Sequence, residues 1–383
     1  MSTIRVNNLQ NTSTTDGGIS IDTSGHVTVD GVAMPSAGPL SNRNLIINGA
    51  MQVAQRGTTQ TGVSDGATEG YATVDRFAAR FSSGHTGVVT NNQSTEVPTG
   101  QGFSSSYHVD VTTAVATPTG SMRASVRYKT EAQDLANSGW NYTSTSSYVT
   151  LSFWARSNKT GAHCVHIVAS DTTTDRYYLA EYSLTADTWE RITIPIPGHA
   201  NMVINNDNGI GFEIDWILSV GPDVDGGTSG AWHGTTQRAT SNQVNVFDST
   251  DGEFYLTGVQ LEVGSVATPF EHRSYGDELR RCQRYFQRFN NGNTLAVGVV
   301  GTSTSAFFDL KFMQSMRAAP SLTVNTLGSV VKEAVNWYAN TSITASTDEN
   351  QATLVTAQSN NNMSGRDATR LGNGTDLSFS AEL

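Results

Sequence analysis

The 383-residue chain is short of charge, of lysine and of cysteine. Asp, Glu, Lys and Arg make up 15% of it, against about 25% in ordinary soluble proteins. Lysine occurs only at Lys129, Lys159, Lys311 and Lys332. With 23 basic residues against 34 acidic ones and no basic run, the chain lacks the cationic footprint that a nucleic-acid backbone requires. Cys164 and Cys282 fall in different segments with no metal or redox spacing, and they read as buried free thiols rather than a disulfide. No apolar run reaches the ~20 residues of a membrane-spanning helix, so membrane insertion is not expected. The opening MSTIRVNNLQ has no charged region followed by an apolar one, so no signal peptide is expected. Catalytic words are missing too: there is no G-x-S-x-G, H-E-x-x-H, P-loop or C-x-x-C. The chain is therefore read as a non-enzyme with no required cofactor.

In place of charge stand 36 glycines and many Ser, Thr and Asn residues, the composition of β-strands with hydroxyl-rich faces and tight turns. The clearest alternation is Phe212, Ile214, Trp216 and Leu218 against Glu213, Asp215 and Ile217, one side apolar and the other mostly polar. Such runs recur from Asn44 to about Glu271, beginning with Asn44–Gly49 and Met51–Arg56, and about ten of them suit two packed antiparallel sheets. No helical period exceeds two turns there, except at Thr130–Ala136. Residues 1–43 hold only short alternating pieces such as Ile19–Asp22 and Val27–Asp30, too few apolar residues for a core. That arm is either disordered until it docks or wrapped with copies from other subunits, and Pro35 and Pro39 mark its end.

From Phe254 to Phe289 a strand, a Pro-containing turn and an amphipathic helix follow without a linker. Tyr255, Thr257, Val259, Leu261 and Val263 share one parity, as a half-buried strand requires. Pro269 ends the run, Asp277 suits a helix N-terminus, and Leu279, Cys282, Phe286 and Phe289 make an apolar stripe. These four either pack within the subunit or meet symmetry mates on a threefold axis. The overall reading is all-β: an arm (1–43), a jelly-roll β-sandwich (44–272), a short connecting helix (273–291) and a smaller antiparallel β domain (292–383).

The words TGVQLEVG and ATPFEHRSYGDELRRCQRYF resemble the segment that closes the β-sandwich of tailed-bacteriophage fibre and appendage proteins. NLIINGAMQVAQRG, YATVDRF, LSFWARSNKTG and TWERITIPIPG are similar to other parts of the same family, and also to carbohydrate-binding jelly rolls. MRAAP at 316–320 and the closing FSAEL extend the likeness. The resemblance implies a virion component, a tail fibre or tail-associated protein that attaches to other virion proteins through its arm. It also implies a homotrimer, and host-surface polysaccharide as the partner. The alternative it leaves is a capsid decoration or tail-scaffold protein with no receptor role.

Sugar recognition needs flat aromatic faces beside Asn, Asp and Gln groups. Two loops could supply them: Asn137–Ser147, with Trp140 and Tyr142, and Gly221–Asn245, with Trp232, His233, Gln237 and Asn242. Either tryptophan could instead pack on the sandwich rim. A loop as long as the second is expected to be functional or mobile. Jelly rolls of the resembling type often hold a structural calcium ion, for which Asp75, Glu262, Asp223 and Asp225 are the candidate ligands. His163 and His166 are three apart and so face opposite sides of a strand. Glu213 and Asp215 share a face, about 7 Å apart by strand rise, and read as solvated rather than catalytic.

Overall fold

A computed structural model describes residues 8–9, 18–23, 25–34, 41–66, 70–290, 294–332, 336–358, 368–372 and 374–383. Pro35 and Pro39, expected to end the arm, lie outside the described residues. The fold is the all-β architecture expected, in two compact units: one runs to Ser274 and includes Leu383, the other is Tyr275–Glu382.

In the arm, β1 (Asn8–Leu9), β2 (Ile19–Ile21), β3 (Val27–Val29) and β4 (Val32–Ala33) form a four-stranded antiparallel sheet. Leu9, Ile19, Ile21, Val29, Val32 and Met34 are exposed, so this sheet buries no core of its own.

The sandwich begins with β5 (Thr59–Val63), β6 (Phe77–Ser82), β7 (Val88–Ser94), β8 (Ser106–Thr113) and β9 (Arg123–Glu131). A one-turn helix α1 (Ala132–Ala136) precedes β10 (Tyr148–Ser157), β11 (Gly161–Ala169), β12 (Tyr177–Leu184) and β13 (Glu190–Pro197). Then come β14 (Ile210–Val220), β15 (Ala231–His233) and β16 (Glu253–Val263). They form two six-stranded antiparallel sheets, ordered β13-β10-β16-β8-β7-β5 and β15-β12-β11-β14-β9-β6. Alternate residues of each sheet meet between them: Val149, Leu151, Phe153 and Ala155 from β10, and Phe212, Ile214, Trp216 and Leu218 from β14. Aromatic edges lock this core, with Phe153 set 5.7 Å from Trp216 and Phe77 set 5.1 Å from Tyr128.

Two expectations are corrected at the sandwich's opening. Asn44–Gly49 and Met51–Arg56 are not strands, because asparagine side chains take the backbone bonds that a ladder would use. The Asn44 amide oxygen accepts from Ile46 N–H (2.9 Å) and Leu261 N–H (3.1 Å), and its nitrogen donates to Val259 O (3.1 Å). Asn48, at φ 61°, accepts from Val53 N–H and donates to the carbonyls of Val53 and Asp75, each at 2.9 Å. Gly49 lies so close to β16 that a Cβ there would sit 2.1 Å from Val259 O.

The PFEHR turn completes this junction. The Glu271 carboxylate accepts from the N–H groups of Arg43 (3.3 Å) and Asn44 (3.1 Å), while Arg273 donates to the carbonyls of Asn44 and Ile46. Buried Glu262 accepts from Gln260 (2.8 Å) and from the N–H (2.8 Å) and hydroxyl (2.7 Å) of Thr268. Gln260 in turn accepts from Glu271 N–H at 2.8 Å.

Strand β16 does not keep one parity. Ser152 of β10 faces Gln260 but Trp154 faces Thr257, so β16 carries one extra residue at the bulge around Gly258, whose φ is 61°. Val259, Leu261 and Val263 therefore share the core with Phe254 and Leu256, and Tyr255 and Thr257 point to the outer face.

In the C-terminal unit, α2 (Tyr275–Gln283) ends earlier than the apolar stripe implied. Leu279 and Cys282 lie on it, but Phe286 and Phe289 belong to β17 (Phe286–Asn290) and not to a helix face. The reason is Gln287, buried in the strand, which accepts from Met313 N–H (2.8 Å) and donates to the carbonyls of Gln314 (2.7 Å) and Gln283 (3.0 Å). Next come β18 (Thr294–Thr302), β19 (Ser305–Lys311), β20 (Ser321–Thr326), β21 (Ser329–Lys332), β22 (Asn336–Thr347), β23 (Gln351–Gln358), β24 (Ala368–Gly372) and β25 (Asp376–Ser380). Six of them close a barrel, β18-β19-β23-β22-β21-β24, and β17-β25-β20 form a separate sheet. Arg317 of the MRAAP turn donates to Ala381 O (2.8 Å), joining that turn to the closing FSAEL.

Gly49→Ala is expected to cost about 2–4 kcal/mol in denaturant unfolding, because the methyl group meets backbone rather than a movable side chain. Gly226→Ala, with nothing within 4 Å of its Cβ, is the control expected to change stability by under about 0.5 kcal/mol. For Glu271, burial pushes the carboxyl up, but the Asn44 N–H, Arg273 and the Arg43 N–H outweigh it and hold it below its ordinary 4.5. A depressed folded value means stability that is present above about pH 4.5 and lost as pH falls through the folded value. Melting of wild type against Glu271→Gln across pH 3–6 is expected to show a steeper acid loss in wild type.

Candidate functional site

Residues directly opposite in antiparallel strands point to the same side, so the register of the first sheet dictates what its outer face presents. Arg156 of β10 faces Tyr255 of β16, Tyr255 faces His108 of β8, His108 faces Asn92 of β7, and Asn92 faces Thr59 of β5. At about 4.8 Å per strand this row crosses the sheet for ~19 Å. Beside it lies a second row, Glu253, Asp110 and Thr90. On the other side Trp154 faces Thr257.

Tyr255 is the floor of this platform, 6% exposed. The His108 ring stacks on it at 4.1 Å with an interplanar angle of 3°, the Arg156 guanidinium lies 5.2 Å from its centre, and Trp189 stands edge-on at 6.0 Å. Trp154, Trp189, Arg156, His108 and Glu253 around it are half-buried. Arg156 is also paired with exposed Asp187 at 3.1 Å.

The electrostatics keep the platform's ring groups neutral. Burial lowers the His108 imidazole, and Arg156 adds to this against the opposing pull of Asp110 and Glu96. Asn92 Nδ2 lies 3.4 Å from His108 Nδ1, which sets Nδ1 as acceptor and leaves the Nε2 proton 3.8 Å from Glu253. Burial, then the Glu253 carboxylate, pushes the Tyr255 phenol up to about 12. A rigid aromatic floor edged by Arg156, Glu253, Asp110 and Asn92 is suited to a ligand that offers C–H faces and many hydroxyls.

The residues singled out in sequence lie elsewhere and do not converge. Trp140 is corrected to a core residue: 3% exposed and edge-on to Phe212 at 5.8 Å, it has no face for a ligand. Tyr142 is half-buried beside it, 6.2 Å away. Trp232 sits on the rim, its ring 5.3 Å from Tyr178 and its N–H donated to Pro197 O at 2.7 Å. His233 lies on the opposite side of β15, 6.0 Å from Tyr177. Gln237 accepts from Gly226 N–H (3.2 Å), and Asn242 donates to Glu181 (3.2 Å).

Within the Gly221–Asn245 segment, expected to be functional or mobile, β15 joins the edge of the second sheet and the residues around Gly227 and Ala239 form a strap across its outer face. It is closed on itself by Gly227 N–H to Ala239 O (2.9 Å), and Ala239 packs on Cys164, Leu179 and Ile217. The four carboxylates proposed for calcium are not brought together, and among the described residues no group of three or more His, Cys, Asp or Glu could hold a metal ion. Asp75 accepts from Gln55 N–H (3.1 Å) and Nε2 (2.5 Å), Glu262 is committed to the PFEHR junction, and exposed Asp223 accepts from Ser121 (3.3 Å). The residues do not fit the ion. Asp215, expected to be solvated, is buried and bound to both Nε (2.9 Å) and Nη2 (2.8 Å) of Arg127.

The platform escaped sequence reasoning because of the bulge. An unbroken alternation assigns Tyr255 to the same side as Leu261. The available signal was the opposite parity of Trp154 and Arg156 to Leu151 and Phe153 in LSFWARS.

No protein-family profile and no curated protein sequence matches the chain. Similar solved structures include the enzymatically active domain of bacteriophage CBA120 tailspike protein 4, at 13% identity over 57% of this chain and a TM-score of 0.30. This chain spans only 21% of that one. Others are a family 22 carbohydrate-binding module of Clostridium thermocellum Xyn10B (12% identity, 55% of this chain and 98% of that chain, TM-score 0.29), and a putative sugar binding protein from Bacteroides thetaiotaomicron (11%, 57% and 99%, TM-score 0.31). At these scores the likeness carries no argument about ligand or activity.

The burial difference separates two tryptophans experimentally. Trp140→Ala is expected to cost about 3–5 kcal/mol of unfolding free energy by emptying part of the core, and Trp189→Ala at most about 1 kcal/mol. Equal losses for the two in chemical denaturation would contradict the placement of Trp189 at the platform.

Proposed function

We propose that the sandwich is a non-catalytic saccharide-binding module of a virion appendage, and that the platform around Tyr255 receives the glycan. The observation that carries this reading is the cross-strand row Arg156–Tyr255–His108–Asn92, with Trp189 standing against it. An aromatic floor held by a sheet loses little conformational entropy when a sugar ring lies on it, and the flanking carboxylates, amide and guanidinium can satisfy hydroxyls. The row is long enough for a short oligosaccharide rather than a single ring.

The phage-appendage setting rests on the sequence resemblance, which also supplies the remaining parts of the proposal: attachment to other virion proteins through residues 1–43, a homotrimer, and host-surface polysaccharide as target. In such an assembly weak single sites become firm attachment because a bound copy raises the effective concentration of its neighbours. A decoration or scaffold role without a receptor is the competing reading, and the platform's aromatic and charged side chains weigh against it.

Binding of the full chain, with its mass in solution measured by light scattering, is to be followed on bacterial surface polysaccharides by glycan array and calorimetry. Trp189→Ala and Arg156→Gln are each expected to weaken binding at least about tenfold with the melting temperature unchanged. Unaltered binding in both variants would remove the glycan from the platform, and no binding to any polysaccharide by wild type would leave the structural role standing.

A further inference from the structure

The outer face of the second sheet holds most of its charge in one place. Strand β9 contributes Arg123, Arg127 and Lys129, β6 contributes Arg80, and the strap brings Arg238 over β11 and β12. Arg176 lies at the start of β12, its guanidinium 5.4 Å from the Tyr177 ring. The acidic groups on this face include Glu213 and Asp215 of β14, Asp175 beside His233, and Glu181 of β12, which accepts from Asn242 of the strap (3.2 Å); the strap itself carries Asp223 and Asp225.

Two of the carboxylates are already taken. Asp215 gives one oxygen to Arg127 Nε and Ser125 Oγ, each at 2.9 Å, and the other to Arg127 Nη2 at 2.8 Å. Glu213 is held by Arg127 (3.0 Å) and Lys129 (3.8 Å). Arg123 and Arg238 have no ion pair among the described residues, and the strap's backbone links their positions: Gly221 N–H donates to the carbonyl of Met122, next to Arg123 (2.8 Å), and Arg238 N–H donates to Val224 O (2.7 Å). Burial pushes the Arg123 guanidinium down, and the nearby charge of Arg238 adds to it more than any other cation.

The N–H groups around this pair are also unspent. Arg238 stands 4.8 Å over the Tyr177 ring and places Nη1 3.2 Å from Nε2 of His166. His166 is fully buried; burial and Arg238 push it down to about 3, so its ring is neutral. With Nε2 accepting from Arg238, its proton sits on Nδ1, which is buried with no partner. Arg123 Nε, Arg176 Nε and Arg238 Nε are likewise buried without a hydrogen bond. Buried donors left unmade are costly, and a concentration of cationic ones in one patch selects a single kind of acceptor.

We propose that Arg123 and Arg238, with His166 and His233 beside them, form a binding site for an oxyanion: a carboxylate or sulfate group carried by an acidic saccharide, or the same group as a free ion. A guanidinium pair matches such a group with charge-assisted, paired N–H···O bonds. The site lies on the sheet opposite the Tyr255 platform and does not depend on glycan binding there.

The full chain is titrated with sodium sulfate, sodium glucuronate and glucose at an ionic strength held constant with chloride, reading melting temperature and heat. Saturable stabilisation by sulfate or glucuronate, absent with glucose, is expected. Response to glucuronate alone assigns a saccharide carboxylate, and response to sulfate alone assigns a free or ester oxyanion. Arg238→Gln is expected to weaken the response at least about tenfold, Arg123→Gln serves if that variant does not fold, and the platform variant Arg156→Gln should leave it unchanged. As a second readout, the His166 ring resonances should move with the saturating anion. No saturable response beyond that of chloride, or a response untouched in a folded Arg238→Gln or Arg123→Gln protein, overturns the site.

Discussion

The sandwich depends on how residues 44–46 are held against its last strand. Asn44–Ile46 make no regular ladder, yet groups more than 200 positions away satisfy most of their backbone: Glu271 takes Asn44 N–H, Leu261 O takes Leu45 N–H and Arg273 donates to the carbonyls of Asn44 and Ile46, while Ile46 N–H bonds to the Asn44 side chain. A backbone segment buried without partners would cost several kcal/mol, so this clasp is a condition of folding and not an ornament on it. Closing so long a loop costs little more entropy than closing one of half its length. What the arrangement demands is side chains of the right shape at both ends. Asn44 and Asn48 imitate a strand at one end, and Glu271 and Arg273 bracket it at the other.

The same economy explains the composition. Several of the few charged residues tie off backbone carbonyls. Arg43 donates to Pro269 O, Arg76 to Lys129 O, Arg191 to Thr268 O and Arg317 to Ala381 O. A guanidinium suits this work better than an ammonium, since its planar donors are fixed in direction and less rotamer freedom is lost per bond. The scarcity of lysine follows.

How much of this was legible in sequence varied with the chemistry of each segment. Strands that bury one face announced themselves: Phe212–Leu218 and Leu151–Arg156 lie where alternation puts them. Strand β7, VVTNNQS, gave little signal because its inward positions include Asn91, fully buried and polar. The PFEHR words marked a turn, but their hydrogen bonds to residues 43–46 are tertiary and leave no local trace. Phe286 and Phe289 looked helical because three-residue spacing suits a helix, and buried Gln287 hid the strand. Of the candidate site, Trp154 and Arg156 were readable as an outward pair. Tyr255 was not, since one inserted residue reverses its side, and no local pattern distinguishes a bulge glycine from a turn glycine. Trp140 and Trp232 drew attention for being aromatic residues in loops, and both are used to seal the rim.

That inserted residue has a wider meaning for the molecule. Gly258 leaves room for Phe103 and Trp154 where any side chain would collide, and it divides β16 into two stretches whose faces are out of phase. The stretch after it belongs to the clasp and tolerates little change. The stretch before it, Glu253–Thr257, turns Tyr255 and Thr257 to the outer side of the sheet, beneath half-buried Arg156, Trp154 and His108. Substitutions there alter what the surface recognises while the register of the clasp stays as it is. A single strand thus separates inheritance of the fold from adaptation of the surface, and new binding preferences can arise without reopening the question of how the chain folds.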